Sequence, residues 1–386
     1  MGNILYLEHG YSPPPARKGG ELRTQRLLQS LRGLGSVYVL STVLRREWEG
    51  RSDDGRVVWA CIEPWRHPLY VFNRCLETVC SQVRWHPFGI GRAVAKAFPG
   101  VEFDAVVCRF AKMAGYAKPW KIAPVFIDVD DLPVESFRTI QKSRLGRAVG
   151  ALADWGVRHW QSNVLRRSAG FWLSNREHLA LLGDSKGVWL PNLPPPNPDG
   201  PCGVDRSRDS VLFVGDLEYA PNLEGMRRFL AGVWPGLHRR CPDVRCRIAG
   251  CGAPGEWGEI EGVEVLGRVD DLRSEYARCH FAVVPVYSGS GTCIKVLEAL
   301  SMGRVALCSR FGARGVDASL VGNGVEVADS DEEMLRKGMD LVSRRKELEQ
   351  TESGCATAVQ AVCGESLFDN AVAQLMARAV REDAEP

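Results

Sequence analysis

The chain has 386 residues, 45% of them hydrophobic and 25% charged, with a net charge of +2. That length exceeds what one hydrophobic core usually supports and predicts two domains of ~100–200 residues each. Near-neutrality speaks against a dedicated nucleic-acid binder, which carries a basic excess, and no apolar run reaches the ~18 residues needed to span a bilayer.

The opening residues, Met1 to Glu8, have neither the basic start nor the long apolar stretch of a signal peptide. They read as a first β-strand over 4–7, and a cytoplasmic protein is expected. A loop from His9 to Lys18 leads to Gly19-Gly20 and a helix over 21–34. Further strands are predicted over 37–40, 105–108, 125–128 and 170–173, with helices over 142–167 and 176–182. The long helix places Leu145, Val149, Leu152, Trp155, Val157, Trp160 and Val164 on one broad apolar face. Residues 45–85, rich in Trp, Pro and Arg, have no clean period and read as loop with short helices.

Pro191 to Pro201 holds six prolines in eleven residues, which can continue neither a helix nor a central strand. The expected organisation is a first domain over 1–190, a linker over 191–208, a second domain over 209–365, and a last helix over 366–386 packing back on the first. In the second domain, strands are predicted over 210–214, 244–248, 263–266, 281–285 and 305–308. Helices are predicted over 222–238 (capped by Asn222 and broken near Pro235), 270–278, 292–302 and 331–343. This alternation is the pattern of parallel βαβ units. The 13 cysteines are an odd number without CxxC spacing and read as reduced core residues.

The most informative stretch runs from Val284 to Gly303. A strand gives way to Gly289-Ser290-Gly291-Thr292, and a helix follows. A Gly-rich turn into a helix N-terminus offers free N–H groups and a positive dipole end, an anion site suited to a diphosphate. Lys295 in the first helical turn opposes the dipole unless a phosphate sits nearby, and Glu298 could accept hydrogen bonds from ribose hydroxyls. An ordinary βα turn with a solvated Lys295–Glu298 pair is the plainer alternative.

These residues, with Lys295-Val296-Leu297-Glu298-Ala299, resemble the donor-site motif of the GT4 family of retaining glycosyltransferases. The segments from Leu212 to Asn222, Arg247 to Gly252 and Val263 to Leu272 are similar to that family as well. The resemblance implies a GT-B fold, an α/β architecture of two Rossmann-like βα domains facing each other across a cleft. It implies that Glu298 holds the donor ribose, Lys295 meets the diphosphate, Arg268 and Val269 lie against the nucleobase, and Gly215 starts the loop under the donor. Gly19 and Gly20 would approach the donor phosphate. Arg109 would join Lys295 in stabilising the leaving group, and His9 and Asp130 would stand on the acceptor side. No resident cofactor or metal is expected, only a nucleotide-sugar donor, UDP- or GDP-linked. The acceptor would be a glycan, a lipid-linked or another small hydroxyl compound. A lipid-linked acceptor would bring the protein to the inner face of the membrane by peripheral contact.

Three departures stand out. Ser290 replaces a glutamate that usually contacts the sugar, Cys293 replaces a common basic residue, and Asp216 and Asn222 occupy a region often holding Arg and Lys. They leave open a weakly active or inactive partner subunit. Asp128-Val129-Asp130-Asp131 has a competing reading as a D-x-D metal motif. A GT-B epimerase is a further alternative. A nicotinamide-dependent enzyme is disfavoured, because the Gly-x-Gly-x-x-Gly turn is missing after the first strand.

Overall fold

The computed structural model describes residues 2–13, 19–63, 66–79, 83–130, 144–182, 186–203, 209–289 and 292–382. The chain divides into two compact units, Met1–Pro191 with Phe368–Pro386, and Asn192–Leu367.

The first unit contains β1 (Asn3–His9), α1 (Gly19–Arg32), β2 (Ser36–Thr42), β3 (Gly50–Arg51), β4 (Val57–Ala60), α2 (Pro68–Val79), α3 (Gly91–Ala97) and β5 (Ala105–Arg109). It continues through α4 (Ala111–Ala117), β6 (Val125–Asp130), α5 (Arg144–Arg167), β7 (Gly170–Leu173), α6 (Arg176–Leu182) and β8 (Gly187–Trp189). The strands form one sheet in the order β3-β4-β2-β1-β5-β6-β7-β8. Only β3, on the edge, pairs antiparallel to its neighbour. Ile4 to Leu7, Ala105 to Cys108 and Val125 to Ile127 are continuous apolar runs because helices cover both faces of a parallel sheet.

Several details differ from the sequence-based expectation. The stretch 45–85 supplies two strands and α2, which were too short or too irregular to show a period. On α5, Val157 and Val164 are buried, but Trp155 is 62% exposed and stacks on His159. The side chains of Leu145, Val149 and Leu152 lie outside the described residues.

The second unit contains β9 (Ser210–Val214), α7 (Ala220–Gly232), α8 (Trp234–Arg240), β10 (Arg245–Ala249), β11 (Val263–Gly267), α9 (Leu272–Arg278) and β12 (Cys279–Val284). Then come α10 (Ile294–Ser301), β13 (Ala306–Ser309), β14 (Val325–Ala328), α11 (Asp331–Ser343), α12 (Arg345–Cys363) and α13 (Glu365–Glu382). From Phe368 onward α13 belongs to the first unit, where Arg26 pairs with Asp369 at 2.8 Å and the Trp172 indole donates to the Ala371 carbonyl.

The six strands of the second unit are all parallel, in the order β11-β10-β9-β12-β13-β14. Successive residues alternate between two cores. Val211 and Phe213 face one, with Phe281 and Val283; Leu212 faces the other, with Ala282 and Val284. A break in the helix after β9 falls between Gly232 and Trp234, with Pro235 in the first turn of α8 where its missing N–H costs nothing. The Pro-rich stretch is no free tether once past Pro191. Arg273 donates to the Gly200 and Pro201 carbonyls, Asn197 to the Ser301 carbonyl, and the Cys202 N–H to the Met302 carbonyl.

Candidate functional site

In an open parallel sheet, ligands bind beyond the carboxyl ends of the strands where the strand order reverses. In the second unit that point lies between β9 and β12. The chain leaving β9 passes Gly215, whose N–H bonds the Ala249 carbonyl at 2.9 Å. A Cβ at Gly215 would stand 2.4 Å from Lys295 Cε, so the bare backbone is what lets the lysine stem lie across it. Gly250 comes closer still, since a Cβ there would meet the Gly215 carbonyl oxygen. Asn222 does not cap α7, which starts at Ala220. It is buried at the third helical position, and its amide donates to the Asp216 carbonyl at 2.6 Å, fixing the loop below.

The chain leaving β12 is fastened at its base. Ser309 Oγ donates to the Val286 carbonyl, and Tyr287 OH reaches Asp331 at 3.4 Å beneath the Arg228 guanidinium. The loop then turns at Gly289, whose φ of +120° is open only to glycine. Ser290 and Gly291 lie outside the described residues. Helix α10 opens at Ile294, two residues later than predicted. Its N-cap, Cys293, makes no side-chain cap hydrogen bond, and Thr292 Oγ1 is buried without a partner. Lys295 is the second helical residue. Burial pushes the Glu298 carboxyl up to about 7, against the pull of Lys295. The end of α10 thus gathers uncapped N–H groups, an unsatisfied hydroxyl, a cation and a reluctantly charged carboxyl.

Two further residues come to the site: Arg314 carried no sequence signal, whereas Tyr219 stands in the Leu212 to Asn222 segment already noted for its resemblance. Arg314, on the loop after β13, donates to the Gly289 carbonyl at 3.5 Å, and its guanidinium covers Phe311. Tyr219 is 49% exposed, and its hydroxyl would be 3.0 Å from a Cβ at Gly289. Gly267 (φ +64°) ends β11, and Arg268 and Val269 follow it on the same sheet edge. The Gly250 N–H ties that turn down through the Gly267 carbonyl at 2.7 Å. Arg268 is exposed and Val269 half-buried.

In the first unit the order reverses between β1 and β5. Gly19 and Gly20 are the first residues of α1, not a turn ahead of it. Arg109 departs from expectation. It is 1% exposed, and its guanidinium meets Asp128 at 2.6 Å and Asp130 at 2.8 Å. Asp128 also takes a two-pronged contact from Arg23, which sequence reasoning missed. Arg23 and Thr24 lie one turn ahead of Leu27 and Leu28 on the buried stripe of α1, and a charge on that stripe was the available signal. Two guanidinium groups therefore match the charge of Asp128 and Asp130, which argues against these carboxylates being a cation site. Asp131 lies outside the described residues.

Asp130 and Phe110 hold the left-handed conformation (φ +61° and +65°), a strain that non-glycine residues keep only where their surroundings enforce it. Beside them burial pushes the Glu8 carboxyl up to about 7; Thr24 Oγ1 donates to its Oε1 at 3.2 Å, and its Oε2 has no partner. His9 sits at the end of β1, 2.7 Å from Thr42 Oγ1, and burial lowers it to about 4, so it is neutral at pH 7. The structure thus brings Gly20 to Arg109 and Arg109 to Asp130, and His9 stands apart on Thr42.

Residues 208–343 match the family model described as glycosyl transferases group 1. An uncharacterized 44.6 kDa protein in the cps region of Klebsiella pneumoniae is 27% identical over 165 residues, 39% of this chain and 42% of that relative. Among solved structures, sucrose-phosphate synthase from Thermosynechococcus elongatus superposes with a TM-score of 0.73 at 12% identity, covering 99% of this chain and 100% of that one. HepE from Anabaena, solved in complex with UDP, gives 0.61 at 12%, covering 97% and 100%. The structure of trehalose-6-phosphate from E. coli bound with UDP-2-fluoro glucose gives 0.64 at 12%, covering 96% and 98%. The chain has the GT-B fold.

Proposed function

We propose that the protein is a nucleotide-sugar-dependent glycosyltransferase whose donor binds the second unit. The observation that carries this reading is the Lys295 stem laid over Gly215 at the switch point, beside the uncapped start of α10. The match to glycosyl transferases group 1 covers the same residues. The donor diphosphate would sit on the N-terminus of α10, met by Lys295, Thr292 and the 289–291 loop, with Arg314 as a second cation. Glu298 would accept from the ribose hydroxyls, and the turn at Arg268 and Val269 would read the base. UDP- or GDP-sugars are the donors this reading expects, and UDP appears in two of the related structures.

Transfer would retain configuration. As the bond from the anomeric carbon to the diphosphate oxygen breaks, Lys295 and the helix dipole would stabilise the charge developing on that oxygen. The acceptor hydroxyl would attack from the same face and give its proton to the leaving phosphate. Lysine and N–H groups supply this charge without a metal. Arg109, matched by two carboxylates, is not assigned to the leaving group. Acceptor hydroxyls of a glycan or lipid-linked sugar would be read in the first unit, near Glu8, His9 and Asp130.

Calorimetry with UDP, GDP, ADP, TDP and CMP, with and without EDTA, tests the reading. One diphosphate binding equally well in both conditions is the expected result. Binding by none, or binding abolished by EDTA, overturns it.

Glu298 makes a second expectation. Its folded-state value of about 7 exceeds the ordinary 4.5, so the folded chain holds the extra proton between those values and stability falls as pH rises through them. Glu298→Gln should therefore stabilise the ligand-free protein above pH 7, by up to about 3 kcal/mol on the 1.36 kcal/mol-per-unit conversion, yet weaken nucleotide binding. Thermal unfolding at pH 8 and calorimetry check the two halves.

A further inference from the structure

Helix α2 turns one polar residue inward. Its anchor is Asn73, 1% exposed, whose amide donates to Glu63 at 2.9 Å and to the Trp85 carbonyl at 3.0 Å and accepts from the Trp85 N–H. Two of its apolar residues face outward: Val71 is 53% and Phe72 51% exposed. Trp85 packs edge-on to Phe72, and Phe88 is 92% exposed. A cluster of large exposed apolar side chains is unusual on a soluble surface and marks an interaction site.

The same residues border a cavity of about 880 Å³ floored by Leu76, Val83, Trp160 and Val164. Gly115 keeps it open, since a Cβ there would stand 2.4 Å from the Trp160 ring. Its charged lining residues are Arg84, Lys118, Lys121 and Arg167, with no acid among the described lining. Lys118 lies over Trp85 and Arg167 over Trp120, so cations and aromatic rings interleave. An adjoining cavity of about 520 Å³ shares Lys121 and Arg167 and adds Lys186, again without an acid among the described lining.

We propose that this face of the first unit docks on an anionic lipid bilayer, with Phe72 and Phe88 entering the boundary between headgroups and acyl chains. Lys118, Lys121 and Arg167 then meet lipid phosphates. The charge decides the occupant. A rim whose described charges are all cationic, around an apolar groove, matches a surface that is anionic throughout and apolar just beneath. Among the described residues no helix is long and apolar enough to cross a membrane, so contact would be with one leaflet. The inference rests on the first unit alone and stands independently of the donor site.

Sedimentation of the full chain with vesicles tests it. Phosphatidylcholine vesicles containing phosphatidylglycerol should carry the protein down, pure phosphatidylcholine at least about tenfold less, and high salt should release it. Phe72→Ser with Phe88→Ser, and separately Lys121→Glu with Arg167→Glu, should each weaken binding by about tenfold or more. These side chains are on the surface, so unchanged thermal unfolding verifies the fold. Failure to sediment, equal binding to neutral vesicles, or indifference to both double variants overturns the proposal. So does binding of inorganic phosphate or monomeric short-chain phosphatidylglycerol without vesicle binding, and so does competition by an added protein partner without lipid.

Discussion

Lys295→Ala is expected to lower the transfer rate by about 10²–10³-fold, the usual cost of removing one preorganised group that stabilises developing charge. Affinity for a nucleoside diphosphate should fall as well, whereas that for the nucleoside without phosphates should not change. Lys295 is held for this task by shape. Its stem crosses Gly215, where any Cβ would come within 2.4 Å of Cε. Gly215→Ala should displace the stem while keeping every charge, and so cause a smaller loss in the same direction. Single-turnover kinetics and calorimetry on both variants decide the matter. If Lys295→Ala retains full diphosphate affinity, the donor site is misplaced. If Gly215→Ala is silent while Lys295→Ala is not, the lysine acts from a different rotamer than the one described.

Arg109→Ala is expected to act on stability first. Removing it deprives Asp128, fully buried, of a 2.6 Å partner and Asp130 of one at 2.8 Å, and breaking such a buried pair costs about 3–5 kcal/mol. For a unit of this size that is roughly 6–20 °C in the unfolding midpoint. Asp128→Ala should cost a similar amount, because Arg23 and Arg109 each lose their shortest carboxylate contact. Differential scanning calorimetry checks both. An Arg109→Ala protein that melts normally yet has lost turnover would restore the direct catalytic role expected from the sequence.

The proposed donor side was the more legible half because its residues are local in the chain. Gly289, Thr292, Lys295 and Glu298 fall within ten residues, so a strand, a turn and a helix place them together whatever the rest of the chain does. Arg314 lay out of reach because it arrives from the loop after the next strand. The first unit was less legible for the same reason. Arg23, Arg109, Asp128 and Asp130 span more than a hundred residues, and whether an arginine at a strand end is an open cation or a buried counter-ion depends on what the neighbouring strand and helix supply. In α2 the usual assumption that apolar residues point inward failed, since Asn73 took the inward position through three hydrogen bonds.

By itself the sequence determined the alternation of strands and helices, the division near Pro191, and the Gly-rich turn into α10, because each depends on periodicity, proline or glycine chemistry within a short window. The tertiary structure alone decided the strand order that puts Gly215 against Lys295, the pairing that closes off Arg109, and the outward apolar face of α2. Those depend on which distant segments pack together, and burial is a property of neighbours in space rather than neighbours in the chain.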